Sequence, residues 1–151
     1  MPELPEVQTT VDGLNRTVKG RAITAVSTTY NSPFYKNKEE VKNPAFFKIF
    51  TKRVVGQKIL KAERRAKNIL IHLSGGDTII VHMKMTGHFV YDRANYPHTR
   101  LDFILDNGKH LVLSDMRKFA KVALVKTAEA NESTHLKGLG PEPLDDSFDY
   151  A

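Results

Sequence analysis

The chain opens Met1-Pro2-Glu3-Leu4-Pro5-Glu6-Val7, which puts a proline second, a carboxylate beside it and another carboxylate three residues further on. Removal of Met1 leaves Pro2 with a free secondary amine. An α-amino group titrates at about pH 8 and a lysine at about 10.4, so at neutral pH about a hundredfold more of a terminal amine is free to attack an electrophilic carbon. A secondary amine that condenses with the aldehyde carbon of a damaged nucleotide's sugar gives an iminium with no nitrogen proton to lose. The retained charge acidifies the neighbouring carbon and makes elimination of the 3′ phosphate feasible. Such chemistry needs a proton donor or acceptor within reach; Glu3 is adjacent and Glu6 lies one helical turn onward. The same residues also suit the start of a helix, because Pro5 needs no amide partner in a first turn and Glu6 favours the positive end of the helix dipole.

Other residue types fit chemistry on a polyanion. Lys67 closes Arg64-Arg65-Ala66-Lys67 just before an apolar run, where a flexible ammonium can meet a phosphate or simply solvate a strand end. Met85 lies in His82-Met83-Lys84-Met85-Thr86-Gly87, and Arg117 and Phe119 in Asp115-Met116-Arg117-Lys118-Phe119. A thioether, a guanidinium and a phenyl ring can each fill the hole left when a base is drawn out of a duplex. They equally suit two core residues and an Arg117–Asp115 ion pair.

Charge is concentrated. Lys52, Arg53, Lys58, Lys61, Arg64, Arg65 and Lys67 stand against Glu63 alone between residues 51 and 67, a local surplus equal to the net charge of +6 carried by the whole chain. The tail after Pro141 is acidic, with Glu142, Asp145, Asp146 and Asp149. This pattern describes a basic stripe and an acidic end, and it suits a phosphate-rich partner.

These side chains need elements to hold them. Val7, Val11, Leu14 and Val18 recur on one stripe of a 3.6-residue repeat, so an opening helix is expected, weakened by Gly13 and ended by Gly20. Residues 22–30 read as a strand. A second helix is expected with Asn43 as its cap and Pro44 first, burying Phe46, Phe47 and Phe50. Beyond Val54 come short β runs divided by turn residues. Hairpins are expected about Ser74-Gly75-Gly76-Asp77 and about Asp106-Asn107-Gly108-Lys109, and a further strand from Phe119 to Val125. Some seven or eight strands in all suggest an antiparallel sandwich or barrel carrying the first helix.

Composition removes several classes. With 151 residues, 40% hydrophobic and 26% charged, the chain fits one globular domain, and no apolar run approaches the roughly 18 residues of a membrane span. The absence of cysteine excludes disulfides, thiol catalysis and thiolate zinc within these residues. The six histidines show no His-Glu-x-x-His pattern, so no metal ligand is assigned; His72 and His82 are expected near each other across the first hairpin. Gly75-Gly76 lacks the Lys-Ser/Thr of a phosphate loop.

Four segments, 1–7, Arg64-Arg65-Ala66-Lys67, Asp115-Met116-Arg117-Lys118-Phe119 and Leu139-Gly140-Pro141-Glu142-Pro143-Leu144, occur in one order along nearly the whole chain. Together they resemble the N-terminal domain of the formamidopyrimidine-DNA glycosylase family, which includes the endonuclease VIII enzymes. Leu4 and Val7 resemble the purine-lesion branch; the endonuclease VIII branch typically has Gly at the position of Leu4.

The resemblance implies a mainly β fold, a two-sheet antiparallel β-sandwich with an N-terminal helix. It implies Pro2 as nucleophile, Glu3 as acid/base, Glu6 in support and Lys67 on the DNA backbone. Lys61, Arg64, Arg65 and His98 are grouped as DNA contacts. Met85, Arg117 and Phe119 match the void-filling wedge, with Arg117 facing the orphaned cytosine. The implied activity is excision of 8-oxoguanine and formamidopyrimidines followed by β,δ-elimination. The implied partner is damaged double-stranded DNA, met by a monomer with no membrane attachment in the cytoplasm at the nucleoid. Family members continue into a helix-two-turns-helix domain and usually a zinc finger. Residues 1–151 are therefore expected to be a catalytic-type domain without its own cofactor, zinc belonging to the following part, and weak or inactive alone. Ala120 stands where the family often has Gly, so an altered wedge loop is expected. The rival readings are a non-catalytic damage-sensing β-domain and, more distantly, an oligonucleotide-binding barrel.

Overall fold

The structure is a computed structural model that describes residues 4–29, 41–83, 87–93, 96–116 and 120–128. Its first element, α1 (Leu4–Thr17), turns Val7, Val11 and Leu14 inward, each at most 3% exposed, with Val18 following on the same stripe. The hydroxyls of Thr9, Thr10 and Thr17 bond back to the carbonyls of Pro5, Glu6 and Gly13, four residues earlier. Gly20, at φ +88°, supplies the left-handed residue that lets the chain leave the helix.

Strand β1 (Ile23–Thr28) follows, then α2 (Pro44–Val54). Asn43 caps α2 by accepting a hydrogen bond from the backbone of Ala45. Of the three phenylalanines, Phe50 is fully buried, while Phe46 and Phe47 are only partly covered and pack against the core. Burying Phe50 contributes about 2 to 3 kcal/mol.

The remaining strands are β2 (Ile59–Arg65), β3 (Asn68–Leu73), β4 (Asp77–His82), β5 (His88–Tyr91), β6 (Thr99–Leu105), β7 (His110–Ser114) and β8 (Lys121–Lys126). They form two antiparallel four-stranded sheets, ordered β1-β6-β7-β5 and β2-β3-β4-β8. Alternation faces Leu101, Phe103, Leu105, Leu111 and Leu113 of one sheet toward Ile69, Ile71, Ile79, Val81 and Val122 of the other, in one core that also takes the stripe of α1.

Both expected hairpins form, β3–β4 and β6–β7, and so does the sandwich with its N-terminal helix. In the second hairpin Gly108 alone takes positive φ, at +81°, while Asn107 does not. A three-residue loop closed by Gly108 donating to Leu105 therefore replaces a two-residue Asn-Gly turn. The strand expected over 22–30 runs Ile23–Thr28, and the one expected from Phe119 starts at Lys121; Tyr30 and Phe119 lie outside the described residues. Strands β2 and β5 have no run that periodicity singles out. In β2 a register shift between Ile59 and Lys61 breaks the alternation, and β5 is four residues long.

Candidate active site

The closing rungs of both sheets locate one end of the sandwich. In the second sheet Arg65 faces Asn68, Asn68 faces His82, and His82 faces Lys121. In the first, His88 and Thr99 both face Ser114. Residues 83–87 link β4 to β5 and residues 115–120 link β7 to β8; the Gly87 N–H returns to the Met83 carbonyl at 3.1 Å, and a Cβ on Gly87 would lie 3.2 Å from that of Ala120, so these rungs share one end. The Ala66-Lys67 turn, His98, and the described ends of the two connections, Met83 and Gly87 in one and Asp115, Met116 and Ala120 in the other, are thereby brought together.

Helix α1 starts at that end. Asn15, near its C-terminus, donates from Nδ2 to the Ala62 carbonyl at 2.9 Å and accepts the Ala62 N–H at 2.8 Å, so one amide side chain pairs the backbone of edge strand β2. Two turns earlier Gln8 accepts from Arg64 Nε at 3.2 Å. Helix and strand therefore run antiparallel, and the first turn of α1, with Glu6, points toward the Ala66-Lys67 turn. Pro2 and Glu3, which precede it, lie outside the described residues, as do Met85, Arg117, Phe119 and the 139–144 motif.

The turn that carries Lys67 is backed by Arg64, whose Nη1 donates to the Ala66 carbonyl at 3.1 Å. Ala66 takes φ +54°, a conformation that costs an L-residue about 1 to 2 kcal/mol. His98 is also left-handed, at φ +58°, and its carbonyl accepts the Asp115 N–H at 3.0 Å. Ser114 Oγ donates to the Pro97 carbonyl at 2.8 Å, which ties the segment before β6 to the end of β7.

Alternation on β2 divides the basic residues. Arg64 lies on the side of buried Ala62 and α1, whereas Lys61 and Arg65 share the other face with Glu63. There Glu63 Oε2 meets His72 Nε2 at 2.6 Å, His72 Nδ1 meets Thr78 Oγ1 at 2.8 Å, and Thr78 meets Thr127 at 2.8 Å. The His72 hydrogen bond holds the Glu63 carboxyl below its ordinary value of 4.5; partial burial opposes this, while the charges of His72, Lys61 and Arg65 assist it. Arg53 pairs with the buried carboxylate of Asp77, so this member of the basic run is tied into the fold.

The expectation that His72 and His82 adjoin is incorrect. His72 faces Thr78 and His82 faces Asn68, at opposite ends of the hairpin, because the loop sets the register from Leu73 to Asp77. The wedge loop expected to be altered by Ala120 lies, at residues 117–119, outside the described residues, and Ala120 itself does not take a positive φ. Its fully buried methyl instead packs where Gly87 leaves room: a Cβ on Gly87 would lie 3.2 Å from the Ala120 Cβ and 2.8 Å from the Met83 carbonyl oxygen.

Sequence reasoning did not single out Asn15, Gly87, Arg100 or the backbone role of Asp115. Asp115 Oδ2 accepts the Ala120 N–H at 2.7 Å, and Arg100 donates to the carbonyls of Asp115 at 2.8 Å and Met116 at 3.3 Å. An Asp two residues before an Arg reads as an ion-pair partner, and spacing gives no sign of a bond to backbone five residues on.

A family model described as the formamidopyrimidine-DNA glycosylase N-terminal domain matches residues 1–122. Formamidopyrimidine-DNA glycosylase of Desulforamulus reducens is 41% identical over 152 residues, covering 98% of this chain and 52% of that protein. The enzyme of the same description from Ruegeria pomeroyi is 35% identical, covering 98% and 53%. The chain spans about half the length of the curated relatives it matches. Crystal structures of Lactococcus lactis Fpg superpose on it, one in complex with DNA containing FAPY-dG (TM-score 0.78, 26% identity, 93% of this chain and 51% of that one). The other is bound to DNA containing an abasic site (TM-score 0.79, 26% identity, 94% and 51%).

Proposed function

This chain belongs to the formamidopyrimidine-DNA glycosylase family by its N-terminal domain, and on that premise we propose that it is the nucleophile-bearing half of a base-excision DNA glycosylase and abasic-site lyase. Its substrate is double-stranded DNA carrying oxidised purines, 8-oxoguanine or formamidopyrimidine. The observation that carries the reading is the direction of α1. Anchored by Asn15 on Ala62 and Gln8 on Arg64, the helix begins at the end of the sandwich that holds the Lys67 turn, Met83 and Gly87, and Asp115 and Ala120.

In this proposal Met1 is removed and the Pro2 nitrogen attacks C1′ of the damaged nucleotide. Glu3 donates a proton as the base leaves and the sugar ring opens. The resulting iminium draws electron density from C2′; loss of a C2′ proton expels the 3′ phosphate, and a second elimination expels the 5′ phosphate. Water then releases the sugar remnant from Pro2. Glu6, in the first turn, supports the site, and Lys67 holds a phosphate of the reacting nucleotide. Met85, Arg117 and Phe119 fill the vacated stack. Lys61, Arg64, Arg65 and His98 contact the backbone, Arg64 on the α1 side and Lys61 and Arg65 on the opposite face.

Zinc, in this reading, belongs to the zinc finger that follows the N-terminal domain in the family, not to these residues. The sequence has no cysteine, and among the described residues no group of three histidines or carboxylates could hold a metal. No step is routed through one. The protein acts as a monomer at the nucleoid in this reading; among the described residues no helix is long and apolar enough to cross a membrane.

Incubation of the protein expressed from its complete gene with duplex containing 8-oxoguanine tests the reading. It predicts strand scission leaving phosphate on both sides of the gap. Tight binding without base release would instead support the non-catalytic damage-sensing reading.

A further inference from the structure

We propose that Asp115 and Arg100 are positioning residues for base extrusion: together they fix Met116 and Ala120, the residues on either side of the stretch that bears Arg117 and Phe119. The proposal rests on the glycosylase reading above. Asp115 is fully buried, and its Oδ2 accepts the N–H of Ala120, so one carboxyl oxygen spans the segment from the residue before it to the residue after it. A buried carboxyl is retained only where its oxygens are used, and here one is used on loop backbone.

The rest of the frame is built on the same two residues. The Asp115 N–H donates to the His98 carbonyl, which ties the segment's start to the left-handed corner before β6. Arg100, on β6, reaches the carbonyls of both Asp115 and Met116 with Nε and Nη2, a forked grip that a lysine's single ammonium cannot reproduce. At the far end, fully buried Ala120 sits against Gly87, whose N–H returns to the Met83 carbonyl at 3.1 Å. Met116 and Ala120 are thereby held at a set spacing, in register with the base of the 83–87 connection. Neither Asp115 nor Arg100 needs to touch DNA for this.

A misplacement of about 1 Å at a reacting site costs roughly a hundredfold in rate, whereas cleavage of an abasic site that is already open demands less of the wedge. The two reactions therefore separate positioning from general damage to the fold. In the protein expressed from its complete gene, Asp115→Ala and Arg100→Ala are expected to slow single-turnover excision of 8-oxoguanine by about tenfold or more, and cleavage of a preformed abasic duplex by less than about threefold. Asp115→Asn keeps an oxygen acceptor for Ala120 and should restore most of the excision rate. Arg100→Lys should not. A 2-aminopurine placed beside an abasic-site analogue should brighten on binding wild type and stay dim with Asp115→Ala.

Arg100 is half-exposed, so its variants carry the test even where Asp115→Ala fails to fold. Equal loss of both reactions in Arg100→Ala, or wild-type excision in either alanine variant, overturns the positioning role while leaving the glycosylase reading intact. Wild-type protein inactive on both substrates overturns the reading and this role with it.

Discussion

Glu63 lies 2.6 Å from His72 and 3.9 Å from Lys61, on the face of β2 away from the core. Because its folded carboxyl titrates below the ordinary value, it contributes stability above that value, and the contribution disappears as pH falls through the folded one. Glu63→Gln should lower the melting temperature at pH 7 and flatten its fall between pH 5 and 3, so that the two proteins converge at the acid end; an unaltered profile would mean that the pair is screened by solvent. Glu3 has a different task. If it passes the proton to the leaving base, Glu3→Gln should lower excision by about a hundredfold or more while Pro2 still condenses with an abasic sugar. Equal retention of both activities would assign the proton to another group.

At the scale of elements, α1 is held to the edge of β2 by one side chain that both donates and accepts. Asn15→Ala leaves the N–H and carbonyl of Ala62 without that partner and should cost about 1 to 3 kcal/mol in urea denaturation. A loss below about 0.5 kcal/mol would show that water replaces it. Gly87→Ala should destabilise by a similar amount, because the new methyl meets the Met83 carbonyl oxygen at 2.8 Å. Much of this framework was legible in the residues. The four-three-four spacing of Val7, Val11, Leu14 and Val18 marked α1, Asn43-Pro44 marked the start of α2, and glycine-containing turns marked two hairpins. What stayed hidden depends on contacts between distant residues. The bulge after Ile59 masked β2, and neither the Asn15 edge cap nor the carboxyl of Asp115 on Ala120 has a periodic signature. Register also escaped, since the separation of His72 from His82 is set by the loop between their strands. Of the candidate site, the sequence marked the residue types and their order, and the topology supplied the shared end of the sandwich.

Over the whole molecule, the basic surplus of residues 51–67 is partly spent inside the fold. Arg53 serves Asp77 and Lys61 lies near Glu63, while Arg64, Arg65 and Lys67 stand together near the end where α1 begins. Replacing Arg64 by Gln should reduce the slope of log affinity against log salt by about 0.9 for duplex DNA, and replacing Lys61 by less, given its carboxylate neighbour. Unchanged slopes would place both charges away from phosphate. The central claim is that the mature amino terminus itself attacks the sugar, and borohydride trapping tests it most directly. Protein from the complete gene, with and without Met1, is mixed with abasic-site duplex and reduced. A covalent protein–DNA adduct formed only when Pro2 is the free terminus is the predicted result; no adduct, or an equal yield with Met1 retained, contradicts it.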